Sequence, residues 1–180
     1  MNKYYDEYLL CKIKYNNYYN LKNTEDRFKN DLIKNLFSFK KINENTFEYD
    51  NYTLILYKEL INILIKCIEL QLKTIYKKIT NKDDNVLNIY TNLDIDIKNY
   101  LESEKYFDND LSCYLDMCVN LDNYNLDCTL FYFEYYLDRL DDLLDMLFES
   151  EKWYQDRNRY LNSEEGTNLY NLYKKYCLNN

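Results

Sequence analysis

The sequence predicts a mainly α fold: a single-domain helical bundle of about six to seven helices over residues 1–180, with room for one short β-hairpin near residues 46–57. Three observations lead there. Leu and Lys, both good helix formers, are abundant. Pro is absent and Gly166 is the one glycine, so the usual helix breakers are nearly missing. Apolar residues recur at spacings of three and four, the period of a helix with one buried side.

The first segment, about Lys3 to Tyr19, places Tyr4, Tyr8, Cys11, Tyr15 and Tyr18 or Tyr19 on one face. Asn23 or Thr24 can cap a second helix, whose Glu25 and Asp26 suit the positive end of its dipole. Phe28, Leu32, Leu36 and Phe39 form its stripe. Around Asp50-Asn51 the pattern turns β-branched and aromatic, Thr46 to Tyr49 before it and Tyr52 to Tyr57 after it, which reads as a hairpin. The competing reading runs Leu54 onward straight into the next helix, about Lys58 to Ile79. That helix carries Leu60, Leu64, Cys67 or Ile68, Gln71 or Leu72, and Ile75 toward a core. Thr80 to Asn85 is a polar connection, and two shorter helices follow, about Val86 to Lys105 and Asp108 to Leu121, then a turn at Asp122 to Asn125. The clearest element is next. Leu130, Phe133, Leu137, Leu140, Leu144 and Leu147 alternate spacings of three and four, as a helix-packing seam requires. This helix is expected to run on toward Tyr160. Asn162 or Ser163 can cap a last helix, with Glu164 and Glu165 in its first turn and Leu169, Leu172, Tyr173 and Tyr176 on its face.

The missing residues exclude much chemistry. No His means no Ser-His-Asp or Cys-His nucleophile, no imidazole metal ligand and no switch near neutral pH. One Gly cannot build a phosphate-cradling loop. The six cysteines, Cys11, Cys67, Cys113, Cys118, Cys128 and Cys177, contain no Cys-x-x-Cys pair, and zinc without His would need four thiolates at ribbon-type spacing, which is missing. They read as free thiols of a protein in the cytoplasm or another reducing intracellular compartment. Carboxylate pairs abound among 31 acids, but none is singled out by spacing. The expectation is therefore no enzyme, no catalytic set, no cofactor and no metal. The residue choice itself, rich in Asn, Lys, Ile and Tyr and lacking Ala, is what an AT-rich genome such as that of a virus, parasite or minimal bacterium encodes. The stretch Leu60 to Leu72 is broken by Asn62, Lys66, Glu69 and Gln71, so no membrane span is expected.

Charge is unevenly spread. Residues 1–80 hold 14 basic and 10 acidic side chains, while residues 81–180 hold 9 and 21. From Tyr106 to Glu151 there are 12 acids and one base, Arg139. Glu134, Asp138, Asp141, Asp145 and Glu149 share a face of the seam helix, roughly opposite the seam. They can be a solvated side of an acidic protein or a docking face for a basic partner, where complementary charge speeds association and rejects wrong partners. Calcium is disfavoured, since no EF-hand loop exists and carboxylates on one helix diverge. Lys66, Lys73, Lys77, Lys78 and Lys82 form a smaller basic cluster, but a net charge of -8 disfavours nucleic acid as a partner.

Aromatic residues offer a second candidate surface at Trp153, Tyr154 and Tyr160. Trp153-Tyr154-Gln155-Asp156, with Tyr160 seven after the Trp, resembles a late helix motif of the Bcl family of apoptosis regulators over about eight residues. The central Asn-Trp-Gly-Arg motif of that family has no counterpart, so no groove residue is carried over. The leading expectation is a non-enzymatic protein-interaction module, of the kind a virus or parasite uses to modulate a host pathway. Two alternatives stand beside it: an acidic inhibitor or immunity-type protein masking a basic active site or nucleic-acid groove, and an assembly subunit forming a homo-oligomer through the Leu130–Leu147 seam.

Overall fold

A computed structural model describes residues 2–31, 40–43, 46–48, 51–101, 126–157 and 162–179, and side-chain surroundings over most of these. The chain is mainly helical. Its described helices are α1 (Lys3–Asp31), α2 (Asn51–Thr80), α3 (Val86–Asn92), α4 (Ile95–Leu101), α5 (Leu126–Phe148), α6 (Ser150–Asp156) and α7 (Glu164–Tyr173), the last continuing as a wider π turn over Lys174–Leu178. Two short strands, β1 (Lys40–Asn43) and β2 (Thr46–Glu48), pair antiparallel with Lys40 opposite Glu48.

Two boundaries differ from the sequence reading at the N-terminal side. α1 runs unbroken through Asn23 and Thr24. An Asn or Thr favours a cap only where something stops the preceding turn, and no Gly or Pro does so here. The hairpin lies one strand earlier than expected. Thr46–Glu48 is a strand, but its partner precedes it, and the chain from Asn51 is already helix. Helical geometry buries Leu56, Tyr57, Leu60, Ile61 and Leu64 together and leaves Ile55 outside. A strand would alternate and split Leu56 from Tyr57, so packing overrides the β-rich composition. The expected stripe at Leu32, Leu36 and Phe39, the helix at 108–121 and Tyr160 lie outside the described residues.

Local signals terminate the middle elements. Asn81 adopts a left-handed φ of 56° just past α2, and its N–H donates to the Lys77 carbonyl at 2.9 Å. The Asn85 side chain accepts from the Asn88 N–H at 2.9 Å and caps α3. The helix expected over 86–105 is split at Leu93-Asp94 because the Asp94 carboxylate accepts the Asp96 N–H at 2.9 Å and starts a new helix. Ser163 caps α7 by accepting from the Gly166 N–H at 2.9 Å.

α2 and α5 form the largest interface, α1 lies along α2, and α4, α6 and α7 close the other side of α5. The buried apolar side chains make one cluster running from Tyr8 to Tyr173. Leu60, Ile61, Leu64, Cys67, Ile68, Leu72 and Ile75 are its α2 contribution. Every member of the α5 seam, Leu130, Phe133, Leu137, Leu140, Leu144 and Leu147, is buried within the chain. This corrects the expectation of a homo-oligomer through that seam: its apolar area is already spent on intramolecular packing. Among the described residues, no helix is long and apolar enough to cross a membrane.

Candidate functional site

The acidic helix α5 has three different surroundings around its circumference. At roughly 100° per residue, the carboxylates at 134, 138, 141, 145 and 149 spread over about 80°. That rib is wide enough for one neighbouring helix to cover an edge and leave the rest.

α1 covers the edge formed by Glu134 and Asp141. The Tyr8 hydroxyl donates to Asp141 Oδ1 at 2.5 Å, and the Lys12 ammonium donates to Asp141 Oδ2 at 2.5 Å. The buried Gln71 side chain of α2 donates to Asp141 Oδ1 as well, and the Tyr15 hydroxyl donates to Glu134. Burial first, then the charge and hydrogen bond of Asp141, push the Tyr8 hydroxyl far above its ordinary pKa, so it remains a donor. Tyr15 is raised in the same way by burial and by Glu134. Two of the five predicted docking carboxylates are therefore engaged within the fold.

Asp138, Asp145 and Glu149 remain exposed. Partial loss of hydration raises the Asp138 carboxyl, and repulsion from Asp141 adds to it against the opposing Lys12. Asp145 is raised for the same first two reasons, with Glu149 contributing. Glu149 has a cation, Lys152, at 3.3 Å. Phe131, seven residues before Asp138, is 60% exposed on the same side of the helix. The outward stripe of α5 thus combines one large apolar side chain with carboxylates that repel one another.

The third side of α5 holds a buried cation. Arg139 is 2% exposed. Its guanidinium pairs with Glu165 of α7, donates from Nε to the Tyr135 hydroxyl at 2.7 Å, and sits 4.8 Å from the centre of the Tyr100 ring. Asp142 lies in the same region, accepting from the Tyr100 hydroxyl at 3.4 Å. Burial, with repulsion from Glu165, pushes the Asp142 carboxyl up to about 6 despite the nearby Arg139. The sequence had marked Arg139 only as the lone base in an acidic stretch. That isolation is the signal that could have identified it as a buried counter-ion.

Of the aromatic candidate surface, Trp153 turns inward, Tyr154 stays exposed and Tyr160 lies outside the described residues. Trp153 is buried, with its ring 4.7 Å from that of Tyr173 and 6.4 Å from that of Tyr170. A break at Glu149, where φ is -116° and ψ is 40°, separates α6 from α5. Tyr154 is partly exposed, with the Arg157 guanidinium 4.2 Å over its ring. Trp153 is thus a packing residue between α6 and α7.

A small cleft of about 240 Å³ lies between α4 and α7, lined by Asp96, Asn99, Tyr100, Asn168, Asn171 and Leu172. Its amides and single carboxylate offer hydrogen bonds but no nucleophile. Among the described residues, no three Cys, Asp or Glu side chains converge as a metal site would need. Comparison with protein-family models, with curated proteins and with solved structures finds no match.

Proposed function

We propose that the chain is a non-enzymatic protein-binding module that docks a basic partner on the outward stripe of α5. Phe131 supplies an apolar anchor, and Asp138 and Asp145, with Glu149 at the end, supply complementary charge. The observation that carries this reading is that Asp138 and Asp145 stay exposed on one stripe, and that partial desolvation and then repulsion from Asp141 hold both carboxyls above their ordinary range despite the opposing Lys12. An incoming Lys or Arg offsets the repulsion among these carboxylates, and complementary charge speeds its approach. An acidic inhibitor that masks a basic active site or groove is the narrower form of the same reading. The composition supports a viral or parasite origin, and the free Cys11, Cys67 and Cys177 thiols support a reducing intracellular compartment.

The test is capture from the native source cell by the tagged full-length chain, compared with the Asp138→Asn/Asp145→Asn double variant and with Phe131→Ser. Both variants lie at exposed positions and are expected to melt close to the parent. The double variant should lose capture of its principal partner by roughly tenfold, and added salt should weaken the parent's capture. Equal capture by parent and double variant at low salt would sink the proposal.

A further inference from the structure

Cys11 of α1 and Cys67 of α2 meet where the two helices pack. Cys67 is completely buried, while Cys11 is half-buried and reachable from solvent. The two thiols are hydrogen-bond partners. The Cys11 Sγ also reaches the Ile63 carbonyl at 3.5 Å, one helical turn before Cys67 on the same helix. The Cys11 sulfur thus lies against α2 between the Ile63 carbonyl and the Cys67 thiol. The hydrogen bond from Cys67 lowers the Cys11 pKa, and Lys66 and Lys14 add to it against the cost of burial. The same contact and burial raise the Cys67 pKa. One sulfur is therefore the accessible, more readily ionised member, and the other is its enclosed neighbour, the division of labour between an attacking and a resolving cysteine.

We propose that Cys11 and Cys67 are a peroxide-oxidisable pair that closes to a reversible disulfide and pins α1 to α2. The Cys11 thiolate attacks one oxygen of hydrogen peroxide; the O–O bond breaks, Cys11 becomes a sulfenic acid, and the departing hydroxide takes a proton to become water. The Cys67 sulfur then attacks the Cys11 sulfur. The S–O bond breaks, the S–S bond forms, and the hydroxyl leaves as a second water with the Cys67 proton. Two thiols are oxidised and one peroxide is reduced to two waters. A dithiol reductant reverses the bond by exchange. The bridge also fixes Lys12, adjacent to Cys11, against Asp141, so oxidation holds α1 on the covered edge of α5.

The full-length chain is treated with stoichiometric hydrogen peroxide, quenched by alkylation and mapped by mass spectrometry. The expected product is a Cys11–Cys67 linked peptide, lighter by two hydrogens and restored by dithiothreitol. Closing a long loop should raise Tm by roughly 10 °C in the oxidised form. Cys11→Ser, at the half-exposed position, should abolish both the linked peptide and the Tm rise. The mapping of the unmodified chain needs no variant, so a folding defect in Cys67→Ser would not obscure the result. Accumulation of Cys11 sulfinic acid with Cys67 still alkylatable after unfolding would overturn the proposal. So would a Cys11 bridge to any other cysteine.

Discussion

Asp141 and Asp142 are adjacent in sequence and point roughly 100° apart around α5, into different surroundings. Asp141 receives donors from Tyr8, Lys12 and Gln71, and its cation, Lys12, is more than a third exposed. Asp142 sits beside the buried Arg139, but Glu165 shares that cation, and burial keeps the Asp142 carboxyl up at about 6. The contrast shows that proximity to a positive charge does not by itself settle a carboxylate. A carboxylate that collects several donors at the edge of the fold is held by them. One that lies half-buried near a guanidinium already paired with a second carboxylate carries a desolvation cost.

The largest expected effect tests the dry side. Arg139→Met leaves Glu165 and Asp142 facing each other without a cation. It should destabilise by about 3 kcal/mol, read as a lower urea midpoint with an unchanged slope. An effect below about 1 kcal/mol would mean that the ionic cluster contributes little beyond packing, and the contrast between the two sides would collapse.

Asp141→Asn is the next test. The amide oxygen can keep the Tyr8 and Gln71 hydrogen bonds made at Oδ1, but the amide NH2 then faces the Lys12 ammonium and that charge-assisted contact is lost. The expected loss is about 2 kcal/mol. Asp142→Asn should move stability the other way at neutral pH, because it removes a charge that burial penalises. If both substitutions destabilise equally at pH 7, the two carboxylates are equivalent and the comparison fails.

The smallest effect is the sharpest in sign. The Asp142 carboxyl titrates at about 6 in the folded chain against 3.8 for an ordinary aspartate. Between those values the folded state holds more protons than the unfolded state, so stability falls as pH rises through the window. Below the lower value the contribution is fully present, and above the higher one it is lost. Allowing for solvent screening of a partly exposed group, the change should be about 1 kcal/mol. Asp142→Asn should flatten the stability profile over that window, while Asp141→Asn should leave this slope in place.

Much of the architecture was legible from spacing. The alternation at Leu130, Phe133, Leu137, Leu140, Leu144 and Leu147 identifies a buried stripe, and all six are buried. Ser163 reads as a cap because its hydroxyl can satisfy an early N–H, and it does so at Gly166. The start of α2 was less legible, because Tyr52 to Tyr57 suits a strand by composition and a helix by the phase of Leu56, Tyr57 and Leu60. The candidate site was legible only in part. The acids of α5 could be counted and placed on one face, but nothing in their spacing says that Tyr8, Lys12 and Tyr15 cover one edge. Trp153 illustrates the converse, since an aromatic cluster looks alike in sequence whether it is a surface or a wedge between helices.

By itself, the sequence determined the helical class, the buried stripe of α5 and the lack of imidazole chemistry, because period and residue type are local properties of the chain. Only the tertiary structure decided which carboxylates are covered, which stay outward, that Arg139 is enclosed and that Cys11 meets Cys67. Those outcomes depend on which helix lies beside which, and contacts between residues distant in the chain leave no mark in the spacing of either partner.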